Sequence, residues 1–158
     1  MSTASIFDAQ PYDFAKAKRR RNIIIAVSLA VVVIGGLLFW FRYLPYEHQV
    51  DKFFTALQAK QFEQAYGLWM NDSEWKQHPQ KYSRYDYNSF YTDWGPSGDW
   101  GAIESHHVDD AISPNPRKGS SGVLVVTTVN GRKERACLWV EKKDKTISFP
   151  PIKTVDCL

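Results

Sequence analysis

Apolar and polar residues are unevenly distributed along the chain, and the first apolar block is the longest. It runs from Ile23 to Phe41, reads IIIAVSLAVVVIGGLLFWF, and contains no charged residue. At about 1.5 Å of rise per residue, a helix of this length covers about 28 Å, close to the hydrocarbon core of a bilayer. A buried core helix this long normally keeps a polar face, and a cleaved signal peptide has small residues where this block has bulky aromatics. The pattern therefore predicts a transmembrane helix over residues 23–43.

The residues on either side of this block predict its orientation. The first 22 residues contain five Lys/Arg and two Asp. Because basic flanks remain in the cytoplasm, we expect a cytoplasmic tail over residues 1–22 and a periplasmic or extracellular domain over residues 46–158. The expected location is thus the inner (cytoplasmic) membrane, with a single pass. The residues expected at the two membrane surfaces are Arg19, Arg20, Arg21, Trp40, Tyr43 and Tyr46.

The charge balance changes once the chain is divided in this way. The whole chain carries a formal charge of +3, whereas residues 46–158 contain 14 Lys/Arg and 15 Asp/Glu. The basic excess therefore belongs to the anchor. This position predicts a topology signal and contact with the lipid bilayer, and it argues against nucleic acid as a partner.

Beyond the membrane segment, apolar residues recur three times at helical spacing. Val50, Phe53, Phe54 and Leu57 stand at i, i+3, i+4 and i+7, which predicts a helix beginning near Tyr46. Residues 70–82 are polar and predict an irregular loop. Either Ser83 or Asp86 is a suitable cap for the third helix. The apolar positions of the second and third helices are Phe62, Ala65, Tyr66 and Trp69, then Tyr87, Phe90, Tyr91 and Trp94.

The second half of the chain has the pattern of strands. Asn130-Gly131 follows a β-branched run and is a strong hairpin signal. Consecutive strands with tight turns predict an antiparallel meander, with about three helices packed on one face, and hence an α+β domain. The predicted strands lie within Ala102–Ala111, Val123–Val129, Lys133–Lys142 and Thr146–Phe149.

The stretch from Val50 to Tyr66, VDKFFTALQAKQFEQAY, resembles the opening of nuclear-transport-factor-2-like (cystatin-like) domains. These domains begin with a helical pair of this pattern, and bacterial members of unknown function occur on membrane anchors. The resemblance covers most of residues 46–150 and implies a cone-like domain. It concerns helix packing, and members of this superfamily include enzymes, ligand binders and assembly modules, so the resemblance implies a fold and no particular activity.

Two cysteines, Cys137 and Cys157, lie in the predicted external domain. An oxidising compartment permits a disulfide between them, and the alternative is two unrelated thiols. Neither cysteine has a C-x-x-C partner, so we expect no metal site there.

Enzymes of the resembled superfamily place acidic and histidine side chains between sheet and helices, which directs attention to His106, His107, Asp109 and Asp110. Strand alternation puts His107 and Asp109 on one face and His106 and Asp110 on the other. His107 and Asp109 could act as general base and orienting carboxylate, while a polar edge strand gives the same pattern without activity. Adjacent histidines point in opposite directions, which disfavours a shared metal ion, and we expect no cofactor.

Aromatic residues are abundant, with six Trp and eight Tyr, and they concentrate in residues 66–100. Those in or near the polar loop suit either partner contact or local packing, whereas those at helical spacing suit a core. The sequence therefore favours a non-catalytic accessory or scaffold subunit of a larger membrane complex, for example a respiratory or photosynthetic one. The alternatives are an anchored domain that binds a small ligand and an enzyme that uses His107 and Asp109. The residues expected to contact a partner are Trp75, Tyr82, Tyr85 and Trp100.

Overall fold

A computed structural model describes residues 14–114 and 119–151 of the chain. The chain divides into two compact units, Met1–Arg42 and Tyr43–Leu158. Residues 1–13 of the tail predicted over residues 1–22 lie outside the described residues. Cys157 also lies outside them. Over the described residues the fold class is α+β: a long apolar helix near the amino terminus, three further α-helices, and a four-stranded antiparallel sheet.

The first unit contains helix α1, Phe14–Trp40, followed by a 3₁₀ turn at Phe41–Tyr43 that leads into the second unit. None of the 27 residues of α1 is buried. The helix is long and apolar enough to cross a membrane, which agrees with the apolar block seen in the sequence. Its large side chains are widely exposed, for example Val32 at 71% and Trp40 at 81%.

Three helices open the second unit: α2 (Leu44–Gln58), α3 (Phe62–Met70) and α4 (Tyr87–Trp94). Pro45 occupies the first turn of α2, where its missing N–H costs nothing. Asp86 caps α4 by accepting a hydrogen bond from Ser89 N, so Asp86, one of the two expected capping residues, is the one used. The three helices predicted from apolar spacing are confirmed.

The strands are β1 (His106–Ile112), β2 (Gly122–Val129), β3 (Arg135–Glu141) and β4 (Ile147–Ser148), joined in the order β1-β2-β3-β4. All three pairings are antiparallel, so the predicted meander is confirmed. Strand β1 begins later than predicted because Asn130 supplies the partners for the preceding backbone. Its Oδ1 accepts from Glu104 N and Ser105 N, at 2.8 and 3.2 Å, and its Nδ2 donates to Ala102 O at 2.9 Å.

The core lies between α2 and one face of the sheet. Phe53 is the centre of an aromatic cluster, with its ring centroid 5.1 Å from Phe54, 5.4 Å from Trp69 and 5.2 Å from Trp94. Residues on alternate positions of β2 and β3 complete it from the sheet side, including Val123, Val125, Leu138 and Val140. The space between the helices and the sheet is filled by the side chains of the domain itself.

Candidate functional site

The domain has two distinct ends along α2. At the amino-terminal end of the helix, Lys145 Nζ lies 4.4 Å from the centroid of the Tyr46 ring. At its carboxyl-terminal end, Gln58 Oε1 lies 3.3 Å from Nδ1 of His106, the first residue of β1. Fifteen helical residues separate the two ends by about 22 Å. We call the end near Tyr46 the entry end, because the chain enters the domain there, and the other the far end.

Asp72 organises the segment that the sequence predicts as an irregular loop. Its carboxylate accepts hydrogen bonds from Tyr82 Oη and, at 2.9 Å, from Glu74 N, and His78 Nε2 lies 2.9 Å from it. These hydrogen bonds, with that of Tyr82 the largest, hold the pKa of Asp72 far below its usual range. Residues 72–82 therefore form an ordered pair of 3₁₀ turns, Trp75–Gln77 and Pro79–Tyr82.

Gly67 on α3 permits this segment to pack closely. A Cβ at this position would lie 3.1 Å from Asp72 O and 3.5 Å from Trp75 Cδ1. The glycine therefore weakens the helix in exchange for a close approach of the following loop.

Three of the residues expected to contact a partner, Trp75, Tyr82 and Tyr85, are half-buried against the core. Trp75 lies 4.7 Å from the Tyr66 ring and donates from Nε1 to Glu63 O at 3.3 Å. Tyr85 donates to Asp93 Oδ2 at 2.8 Å, and burial is the main cause that raises its pKa. The structure thus gives each of them a local packing role, and their contact with a partner stays a prediction.

Trp100, the fourth residue of that group, lies at the far end of the domain. The guanidinium carbon of Arg132 is 5.7 Å from the centroid of its ring, and Arg132 Nη1 donates to Asp99 O at 2.9 Å. These contacts fasten the turn-rich segment 95–101 to the β2–β3 hairpin. The contact of Trp100 with a partner stays a prediction.

An open cleft of about 600 Å³ lies between α3 and the loop that follows it. Most of the residues that line it are polar, and Trp75 is the aromatic residue among them. Glu63 and Lys76, two of its lining residues, form an exposed ion pair. The cleft differs from the interior cavity near Leu57 and Trp94, which holds only about 20 Å³.

The histidines and aspartates of β1 do not all lie on the sheet faces that simple strand alternation predicts. His106 faces α2, where its ring stacks on Phe54 at 5.6 Å and its Nε2 lies 3.2 Å from Asp51 Oδ1. His107 pairs with Thr128, whose hydroxyl donates to Asp109 Oδ2 at 2.7 Å. His107 and Asp109 thus flank Thr128 on the sheet face away from the helices.

A bulge explains why Asp110 departs from the predicted face. The register shifts between Val108 and Asp110, so Asp110 pairs with Val126 and Ala111 with Val125. Ala111 and Val125 belong to the core between sheet and helices, and Asp110 is therefore on the opposite face, not on that of His106. The placement of Asp110 with His106 was wrong, because the extra residue of a bulge inverts the alternation after it.

Among the described residues there is no group of three or more His, Cys, Asp or Glu suited to a metal ion. Cys137 lies on β3 and is half-buried, and its predicted partner Cys157 lies outside the described residues, so the disulfide stays a prediction. Of the expected membrane-surface residues, Arg19, Arg20, Arg21 and Trp40 are exposed on α1, while Tyr43 and Tyr46 are half-buried in the second unit.

Sequence reasoning missed three organising residues: Asp72, Asn130 as a side-chain bridge, and Lys145. Asp72 follows the helix-ending Asn71, a place where acidic side chains commonly bond to nearby backbone, and this was the available signal. Lys145 lies between the last two predicted strands, and nothing in the local pattern indicates its contact with Tyr46. Comparison with protein-family models, with curated proteins and with solved structures finds no match for this chain.

Proposed function

We propose that the protein is a membrane-anchored accessory or scaffold subunit, without catalytic activity of its own, which contacts a larger membrane protein complex. The observation that supports the anchor is α1, a helix whose 27 residues bury no side chain and whose stretch from Ile23 to Trp40 carries no charge. Such a surface is stable only where lipid or another apolar helix covers it.

The proposal includes orientation and location. The basic residues before Ile23 favour a cytoplasmic amino terminus in the inner membrane, with the folded domain in the periplasm or outside the cell. The nuclear-transport-factor-2-like relationship is part of the same proposal. It is supported by the order of elements, helices α2 to α4 followed by an antiparallel meander.

The docking part of the proposal is supported by aromatic side chains that the fold holds near the surface. Tyr91 on α4 is 43% exposed, and its ring lies 5.0 Å from that of Phe62. Phe149 is 51% exposed and lies 5.8 Å from Tyr85. Rigid, partly exposed aromatics are the usual anchors of protein interfaces, because their burial costs little side-chain entropy.

The anchor is tested by membrane extraction of the full chain and of Val32→Arg, with Val32→Leu as the matched control. An arginine near the helix centre costs about 3 kcal/mol on insertion. We expect the wild-type chain and Val32→Leu to stay in the membrane pellet after alkaline washing, and Val32→Arg to be released in part. Complete release of the wild-type chain would refute the anchor.

The docking part is tested by extraction in mild detergent, native-size separation and mass spectrometry of what co-migrates. We expect a defined large complex for the wild-type chain, weakened by Tyr91→Lys and retained by Thr92→Lys, its neighbour on α4. Migration of the wild-type chain as a monomer without companions would refute the scaffold role.

The second candidate function is a domain that binds a small ligand. The cleft beside α3 favours it, since it combines Trp75 with hydrogen-bonding groups of Asn71 and Ser73. Mass spectrometry of the purified full chain under native conditions tests it, and a bound small molecule lost in Trp75→Ala would favour this function. Catalysis by His107 and Asp109 remains the third alternative, tested by the loss of any activity in His107→Ala.

A further inference from the structure

The β3–β4 turn lies beside the residues through which the chain enters the domain. Tyr43 is the first residue of the second unit, and Tyr46 stands in the first turn of α2. Three residues of chain span at most about 11 Å, so Tyr46 remains close to Tyr43 in any orientation of the domain. The ammonium of Lys145 lies 4.4 Å from the Tyr46 ring centroid, so it also remains near Tyr43.

Hydrogen bonds fix the turn at this place. Asn71, the residue that ends α3, donates from Nδ2 to Asp144 O at 2.7 Å. Lys145 N donates to Glu141 O at 2.9 Å, and Glu141 N donates to Thr146 O at 3.0 Å. The lysine is therefore held at the entry end by the backbone, and its position there does not depend on its own side chain.

The backbone of Lys145 is in the left-handed region, with φ +60°. Glycine or asparagine usually occupies such a turn position, because a Cβ makes this conformation costly. A strained residue of this kind is a reason to look for a function of its side chain. The Lys145 side chain offers a cation beside the Tyr46 ring, and this ring lies close in the chain to the anchor.

The charges of the turn suit a negatively charged surface. Lys143 and Lys145 flank Asp144, whose carboxylate accepts a hydrogen bond from Thr146 N at 3.1 Å. Lys142 is already bound, since its Nζ donates to Ser120 O at 2.9 Å. Glu47 is the acidic residue in the first turn of α2. Within residues 143–145, the two lysines thus outnumber the single carboxylate, that of Asp144.

We propose that Lys145, supported by Lys143 and the Tyr46 ring, binds the phosphate of anionic lipid headgroups at the surface of the membrane that α1 enters. The inference rests on the proposed anchoring. Headgroup layers extend about 5–8 Å beyond the hydrocarbon core, and a lysine near an anionic membrane surface gains roughly a fivefold preference for it. The tyrosine ring suits the same layer.

The test uses the full chain in nanodiscs of phosphatidylcholine, with or without phosphatidylglycerol, and hydrogen exchange read by mass spectrometry. We expect the amides of residues 143–149 to exchange up to about fivefold more slowly in the anionic discs. Lys145→Gly removes the charge and relaxes the backbone. We expect this variant to fold, and we expect residues 143–149 to exchange at the same rate in both kinds of disc.

Lys60 offers a matched control at the far end of α2. It also has a left-handed backbone, with φ +59°, and it is exposed. Lys60→Gly therefore makes the same chemical change about 20 Å from Tyr46. We expect residues 143–149 of this variant still to exchange more slowly in the anionic discs.

Two results would overturn the inference. One is equal exchange of the turn in both lipids for the wild-type chain, and the other is a lipid difference that Lys145→Gly leaves unchanged. If either result came with slow exchange of α1 in the same discs, the anchor would be sound and the headgroup contact alone would have failed. Rapid exchange of α1 would refute the anchor and this inference together.

Discussion

Helices α1 and α2 are both rich in apolar residues, and they differ in where those residues stand. Helix α2 concentrates them on one face, and Val50, Phe53, Phe54 and Leu57 are all buried. Helix α1 carries them on every face and buries none. A stripe of apolar residues is satisfied by one sheet, whereas an apolar surface on all sides needs an apolar surrounding. The distribution of apolar residues, more than their number, thus separates a domain helix from a candidate membrane anchor.

The largest expected effect contrasts one residue from each helix. Phe53 has no exposed surface and contacts four aromatic rings, so Phe53→Ala leaves a cavity and should lower the free energy of unfolding of the domain by about 3–5 kcal/mol. Val32 is 71% exposed, and Val32→Ala should leave this quantity unchanged. Denaturant unfolding of the full chain in detergent, followed by tryptophan fluorescence, measures both. Equal losses would show that the two units unfold as one.

The same contrast explains what the sequence could predict. Apolar spacing identifies α2, α3 and α4, because each buries a stripe that repeats every three or four residues. The order of the strands follows from short turns such as Asn130-Gly131. Side-chain bridges cannot be predicted in this way. Asn130 contacts residues about 26 positions away, and nothing in the local pattern indicates which backbone groups it meets.

The candidate sites were less predictable than the fold for the same reason. Partner contact and core packing require the same aromatic residues, so composition alone does not separate them. Trp75 and Tyr82 pack on Tyr66, at 4.7 and 6.4 Å between ring centroids. Burial of Tyr66, aided by the nearby charge of Asp86, raises its pKa to about 12, so its hydroxyl stays protonated and donates to Tyr85 O. Only the three-dimensional contacts assign these residues a packing role.

A smaller effect is expected at the far end of the domain. Asn130→Ala removes three hydrogen bonds to the backbone of residues 102–105, and should lower the free energy of unfolding by about 2 kcal/mol. Asn130 has φ +52°, so Asn130→Gly separates backbone strain from hydrogen bonding. We expect the glycine variant to remain clearly less stable than the wild-type chain in denaturant unfolding. Full stability in Asn130→Gly would mean that the bridge contributes nothing.

The loop organised by Asp72 should show a dependence on pH. Its folded pKa is lowered, chiefly by the hydrogen bond from Tyr82, so the stabilisation is complete above the ordinary carboxyl pKa of about 4. It is lost progressively as pH falls below that value toward the lowered pKa. Asp72→Asn should therefore flatten the decline of stability on acidification, measured by thermal unfolding at a series of pH values. Asp99→Asn is the control, and an equally flattened curve for it would contradict the assignment to Asp72.

The smallest effect compares the two lysines with left-handed backbones. Glycine relieves this strain at Lys60 and should raise the free energy of unfolding by about 0.5–1 kcal/mol. At Lys145 the same relief is offset, because the ammonium also loses its position over the Tyr46 ring, a contact worth about 0.5–1 kcal/mol. Lys145→Gly should therefore leave stability nearly unchanged, and paired denaturant curves of the two variants in uncharged detergent measure the difference. Equal gains in both variants would mean that the contact with Tyr46 adds no stability, and the lysine would then depend on the membrane surface alone to offset its strain.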